Sequence, residues 1–212
     1  MTSDRRSLFE RLEVFATILL AAATVATAWS GYQASRWNGE QAKASARTNA
    51  LRIEAARAQS LAEAQTQVDV ATFIQWVDAY ARDETELQTF YFARFRKEFK
   101  PAVNAWIRTR PLRSADAPLT PFAMPQYRLQ ATADANRLDA EAARSSAVVS
   151  RYIQRSTNYV LCVVLFAAVL FFAGMSTKLQ TPGLRRALLG FGAVVFLATV
   201  AWIATFPVSL SV

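Results

Sequence analysis

The sequence predicts an all-α fold: three transmembrane helices with a long extramembrane antiparallel helical hairpin between the first and second spans. Three observations predict it. Residues 14–32, 158–176 and 188–207 are apolar runs without Asp, Glu, Lys or Arg, and each is about long enough to cross a hydrocarbon layer of roughly 30 Å. Residues 33–157 are polar and rich in good helix formers, and the helical pattern enters them from the first span and leaves them into the second without a proline. Finally, 53% of the residues are hydrophobic, which places the chain among membrane proteins rather than ordinary soluble domains.

Residues 1–13 form a charged lead-in. Arg5 and Arg6, the apolar run and Ala26-Thr27-Ala28 share features with a secretory signal. The helical pattern runs straight through that supposed cleavage point, and Asp4, Glu10 and Glu13 balance the bases, so an uncleaved helix is expected. In the first span, Thr17, Ala21, Thr24, Ala28, Gly31 and Ser35 recur at alternating intervals of four and three. Small residues in a row let helix backbones approach closely in lipid, so this seam is expected to pack against the other two spans; the alternative is a face for self-association or for lining a pore. Trp29, Tyr32 and Trp37 are expected to form an aromatic belt at the far interface.

From Ser35 to Tyr80 the pattern predicts one helix continuous with the first span, broken by no proline and carrying one glycine beyond the interface, Gly39. At about 1.5 Å per residue, residues 32–82 reach roughly 75 Å if straight. Asp69, Phe73, Trp76, Val77 and Tyr80 make its outer end amphipathic. Asp83-Glu84-Thr85-Glu86 resembles a capping start, with the Asp side chain accepting from first-turn amides. The helix it opens is predicted to run over 84–99, with Leu87, Tyr91 and Phe95 on one face, and to end before Pro101. Trp106 marks a further short segment, and the aromatics from Phe73 to Trp106 are expected to form a small core rather than a ligand pocket.

Residues 110–125 contain four prolines and read as a loop. Helix resumes at Gln126, and Leu138, Ala142, Val149 and Tyr152 match Leu51, Ala55, Ala58 and Ala62 on the outgoing helix as an antiparallel pair. The connector 177–187 holds Pro182-Gly183, a turn signal. Residues 208–212 form an uncharged tail.

The net charge of +8 is unevenly placed. The connector 177–187 carries Lys178, Arg185 and Arg186 and no acid. Short basic loops stay cytoplasmic, so the N-terminus is expected inside, with residues 33–157 and the C-terminus outside. The chain has no histidine, which excludes His general bases, Ser-His pairs and imidazole metal sites. Its one cysteine, Cys162, lies in an apolar run, and the six glycines form no phosphate-binding pattern.

The stretches ATAWSGYQASRWNGEQA, FIQWVDAY, RFRKEFKPAVNAWI, PFAMPQYRL and NYVLCVVLFAAVLFFAGMSTKL resemble a family of small uncharacterised bacterial integral membrane proteins with three predicted spans. The resemblance covers nearly the whole chain. It implies a bacterial inner membrane as the setting and carries no activity or functional residues with it.

Two functions follow as expectations. The first is a membrane-anchored interaction or scaffold protein whose partners are the bilayer and either copies of itself or an unidentified protein. Arg94, Arg96, Lys97, Lys100, Arg108, Arg110 and Arg113 concentrate positive charge against Glu98 alone, a solvated face on the plain reading and an acidic-partner site on the functional one. The second is a homo-oligomeric channel or transport component lined by the first span, with Thr17, Thr24 and Ser30 supplying hydroxyls. No ionisable residue lies in mid-membrane to serve charge-coupled transport. No catalytic constellation, cofactor, metal, nucleic acid or small-molecule substrate is expected. Asp69 with Asp78, or Asp134 with Glu141, are ordinary helix-surface carboxylates on this reading, and Arg137, Glu141 and Arg144 are spaced as surface ion pairs.

Overall fold

A computed structural model describes residues 2–179 and 181–209, with side chains from Glu10 onward. The charges of Asp4, Arg5 and Arg6, connector residue Gln180 and tail residues 210–212 lie outside what is described. Among the described residues the chain is all-helical: α1 Thr2–Ala81, α2 Thr85–Arg94, α3 Lys100–Arg108, α4 Gln130–Lys178 and α5 Pro182–Ile203, with one 3-10 turn at Pro121–Ala123. Three of these, α1, α4 and α5, are long and apolar enough to cross a membrane. α1 passes through Gly39 without interruption, since no proline removes an amide donor over its length.

The chain divides into two compact units, one of Met1–Ala46 with Ser145–Val212 and one of Arg47–Arg144. In the first, the apolar unit, Ala16, Leu19 and Ala23 of α1 pack with Val169 and Ala173 of α4 and Leu189 of α5. A Cβ added at Gly192 would meet Leu19 Cδ2 at 3.7 Å and Phe172 Cβ at 3.7 Å, so α5 is seated closely between the other two helices there. α1 and α4 run antiparallel: Ala34 and Trp37 cluster with Tyr159, and the Ser156 hydroxyl lies 3.1 Å from the Ala34 carbonyl and 2.8 Å from Asn38 Oδ1. After α5, the Tyr159 hydroxyl donates to the Pro207 carbonyl at 3.2 Å. Gln33, fully buried, accepts from the Ser209 amide at 3.0 Å.

Several expectations are corrected. Thr17, Ala21, Thr24, Ala28, Gly31 and Ser35 are all exposed; the buried side of α1 is the neighbouring row through Ala16, Leu19, Ala23, Ser30 and Gln33. That row combines small residues with a leucine that fits beside Gly192. Trp29 and Tyr32 are exposed, 6.0 Å apart, whereas Trp37 is buried against Tyr152 with the Arg155 guanidinium 4.6 Å from its ring. Trp37 therefore leaves the belt for the interior. Pro182 opens α5 rather than ending a loop, because proline's missing amide is no loss in a first helical turn. At its other end α5 stops at Ile203, short of the expected 207, as the chain turns over Ala204–Phe206 before Pro207.

In the second, the aromatic unit, α1 contributes Leu51, Ala55 and Ala62, while Ala131, Ala135 and Ala142 form the buried side of α4. Ala62 clusters with Leu129 and Ala131, and Arg47 pairs with Glu141 at 3.1 Å, so this pair is antiparallel too. Phe73, Trp76, Phe95, Phe99, Val103 and Trp106 form the core; burying each large side chain contributes about 1.5–3 kcal/mol. Phe99 is fully buried and stacks on Phe122 at 5.1 Å. The proline-rich stretch is docked, since Trp106 Nε1 donates to the Pro118 carbonyl at 2.6 Å.

The boundaries here also differ from expectation. Asp83 caps no helix with its side chain. It sits at φ 58° as the left-handed residue that ends α1, with the Glu84 amide reaching back to the Ala79 carbonyl at 3.0 Å. Glu84 is the N-cap of α2 and makes no side-chain cap bond. α2 ends at Arg94, and Pro101 lies in the first turn of α3 instead of terminating the helix before it. α4 begins at Gln130 rather than Gln126, after a turn in which the Tyr127 amide reaches the Met124 carbonyl at 2.9 Å.

Arg110, at φ 53°, ends α3 as Asp83 ends α1. Side chains with a Cβ are strained in this region and glycine is not. Asp83→Gly and Arg110→Gly are each expected to raise stability by about 0.5–1 kcal/mol, read as a shift in the chemical-denaturation midpoint.

Candidate functional site

The seven cations singled out by the sequence do not form one surface. Arg96 points into the aromatic unit: its Nη1 lies 2.9 Å from Asp69 Oδ2, and its Nη2 pairs with Glu98 Oε2. Lys100 folds back, its Nζ donating to the Ala93 carbonyl at 3.0 Å. Arg94 lies over Phe90, with its guanidinium carbon 3.4 Å from the ring centroid, and Nη1 donates to the Phe90 carbonyl at 3.0 Å. Lys97, Arg108, Arg110 and Arg113 are exposed. Arg110 and Arg113, with Tyr80 and Asp83, line a cleft of about 420 Å³. The charge is therefore divided between an internal tie, Arg96, and an outer rim.

The internal tie is the node that sequence reading under-weighted. Asp69 is fully buried. Besides Arg96 it has the Tyr127 hydroxyl donating to Oδ2 at 3.2 Å, with Thr66 Oγ1 also 3.2 Å from that hydroxyl. Its Oδ1 is buried without a hydrogen-bond partner. Burial pushes the Asp69 carboxyl above its ordinary value of 3.8, against the pull of the Arg96 charge and the Tyr127 hydrogen bond. Burial likewise raises the Tyr127 phenol. Glu98 closes the chain of contacts, since its Oε1 accepts from the Gln130 amide at 3.1 Å. Asp69, Arg96, Glu98 and the first amide of α4 are thus linked in series.

The other carboxylates are surface groups: Asp78 pairs with Arg82 at 3.0 Å and Asp134 with Arg137 at 3.3 Å, both exposed. Glu141 bonds Arg47 rather than Arg137 or Arg144. Asp69 is buried and Asp78 is exposed, and Glu141 is engaged by Arg47, so neither carboxylate couple forms a shared acid-base site. Among the described residues no group of three or more Cys, Asp or Glu is gathered in a way that could hold a metal ion. In the apolar unit, the Thr17 and Thr24 hydroxyls donate to the carbonyls of Glu13 and Leu20 at 2.9 and 2.8 Å. Ser30 is buried and bonds the Ala26 carbonyl.

No family model, no curated protein and no solved structure matches the chain.

The exposed part of α2 completes the site. Leu87 and Phe90 are 39% and 47% exposed, and with Glu84, Thr85 and Glu86 they line a shallow groove of about 740 Å³. The aromatic unit therefore presents an apolar patch on α2 and exposed cations at Lys97, Arg108, Arg110 and Arg113, on a core that contains the Asp69–Arg96 pair.

Removing Arg96 leaves the Asp69 charge buried, whereas removing Asp69 leaves Arg96 partly exposed and still paired with Glu98. Arg96→Met is expected to cost about 3 kcal/mol at pH 8. Without the guanidinium the folded-state carboxyl rises further, so the folded chain binds a proton that the unfolded chain does not. The loss therefore shrinks as pH falls toward about 5. Asp69→Asn is expected to cost only about 1–2 kcal/mol at pH 8 and more toward pH 5, because it removes a carboxyl that burial raises in the folded chain. Near-ultraviolet circular dichroism melts of the full chain at pH 5 and pH 8 check both.

Proposed function

We propose that this is a membrane-anchored helical interaction protein that holds an acidic partner through the aromatic unit, with that unit outside the cytoplasm of a bacterial inner membrane. The observation that carries the reading is the surface of the aromatic unit: α2 has no buried residue, and Lys97, Arg108, Arg110 and Arg113 of the same unit are exposed. A helix of ten residues has little stability of its own in water, and the exposed Leu87 and Phe90 together with exposed cations on the same unit suit contact with an anionic protein or polymer surface. The orientation is supported by Lys178 in the last turn of α4 and Arg185 and Arg186 near the start of α5, because short basic connectors favour the cytoplasmic side. The setting is supported by the resemblance described above.

Changing Lys97, Arg108, Arg110 and Arg113 together to Gln should weaken capture of partners from gently extracted membranes at least about fivefold, roughly 0.3 kcal/mol for each exposed charge. An unchanged pull-down profile counts against the reading.

A channel or transport component is a second reading, favoured by the exposed position of Thr17, Ala21, Thr24, Ala28, Gly31 and Ser35 on α1, a row along which copies could pack. The Thr17 and Thr24 hydroxyls already donate to backbone carbonyls, which counts against them as donors lining a path. Reconstituted bilayers under voltage and tension are expected to show no conductance above background; a defined unitary current would put this reading first.

A further inference from the structure

α2 is short, bears no buried residue, and is attached to its unit on one side only. Tyr91 and Phe92 are half-buried against the aromatic core, and Gln88 Nε2 donates to the Ala79 carbonyl at 3.3 Å. The opposite side carries, in order, Glu86, Leu87, Phe90, Ala93 and Arg94, with Ala93 and Arg94 exposed beside Leu87 and Phe90. The Arg94 guanidinium flat on the Phe90 ring, 3.4 Å from its centroid, holds that ring in place. Its Nη1 donates to the Phe90 carbonyl, and the residue is exposed, with further guanidinium donors to offer.

This order of side chains is complementary to its own reverse. When two such helices lie antiparallel with Phe90 on the two-fold axis, a residue four positions before Phe90 faces one four positions after it. Glu86 then meets Arg94 of the second copy, and Leu87 meets the small side chain of Ala93. The two Phe90 rings meet at the centre. Such a contact is isologous, so each favourable pair occurs twice. A parallel pairing would instead set Glu86 on Glu86 and Arg94 on Arg94, which repel.

We infer that two copies of this chain associate through antiparallel α2 helices, with Phe90 at the axis and Glu86 paired to Arg94 of the second copy. The inference rests on the reading of the protein as an interaction protein and names a second copy as an occupant of its apolar patch. One pair of ten-residue helices makes a small contact, and confinement of the anchored chains to one bilayer raises their effective concentration.

The test uses the full chain in lipid vesicles, in donor- and acceptor-labelled populations whose association is read by energy transfer. Glu86→Arg and Arg94→Glu should each lower the association constant about tenfold, because both symmetric pairs turn repulsive. The double variant Glu86→Arg with Arg94→Glu should recover at least about threefold over Arg94→Glu alone, since the charges are exchanged rather than removed and the Arg94 stack on Phe90 is absent from both. Equal constants for all four forms, or a double variant as weak as the singles, overturn the pairing. If partner capture by Lys97, Arg108, Arg110 and Arg113 persists in that case, the pairing fails and the interaction reading stands. Loss of the charge-swap pattern is thus distinguishable from failure of partner capture.

Discussion

The aromatic unit depends on how one buried carboxylate is satisfied. Asp69 sits on the inner face of α1 with Arg96 on one oxygen and no partner for the other. A buried charge without a counterion costs several kcal/mol, more than any single aromatic contact in the core returns. The guanidinium must therefore reach it, and this fixes where the chain between α2 and α3 passes. Glu98 holds the far side of Arg96 and accepts from the Gln130 amide, so the same tie determines where α4 starts. The hydrophobic core supplies most of the stabilisation, and the ion pair supplies the register.

What the sequence revealed and what it concealed follow from the range of the forces involved. The three apolar runs, the unbroken α1 and the antiparallel return were legible because each is a property of a continuous stretch. The core of Phe73, Trp76, Phe99 and Trp106 was legible for a similar reason, as spacing on successive helices. Helix ends were not. Asp83 and Pro101 each have two local meanings, and the difference lies in whether a neighbouring carbonyl, such as that of Ala79, has a donor to accept. Likewise the side of α1 that packs could not be chosen from small residues alone, because it depends on Leu19 finding space beside Gly192 of a helix encoded much later.

The candidate site was legible only as a composition. The run from Arg94 to Arg113 shows its charge in sequence, but the conversion of Arg96 from surface cation to internal tie requires Asp69, 27 residues away. Once Arg96 is removed from the surface, the exposed charges share the unit with a helix that has no buried residue. The same separation of roles explains why the unit can present apolar side chains outward: its core is complete without Leu87 and Phe90.

The clamp between Gln33 and Ser209 has a consequence for biogenesis. Its two ends are 176 residues apart, and at about 5–20 residues per second the ribosome takes roughly 10–35 s to traverse that distance. Throughout this interval the first apolar segment has been made while the residue that satisfies its buried amide has not. Ser156, whose hydroxyl meets Ala34 and Asn38, also arrives only 118–122 residues later. The buried polar groups of the first helix therefore gain these partners late in synthesis, Ser156 with the second apolar helix and Ser209 only after the third.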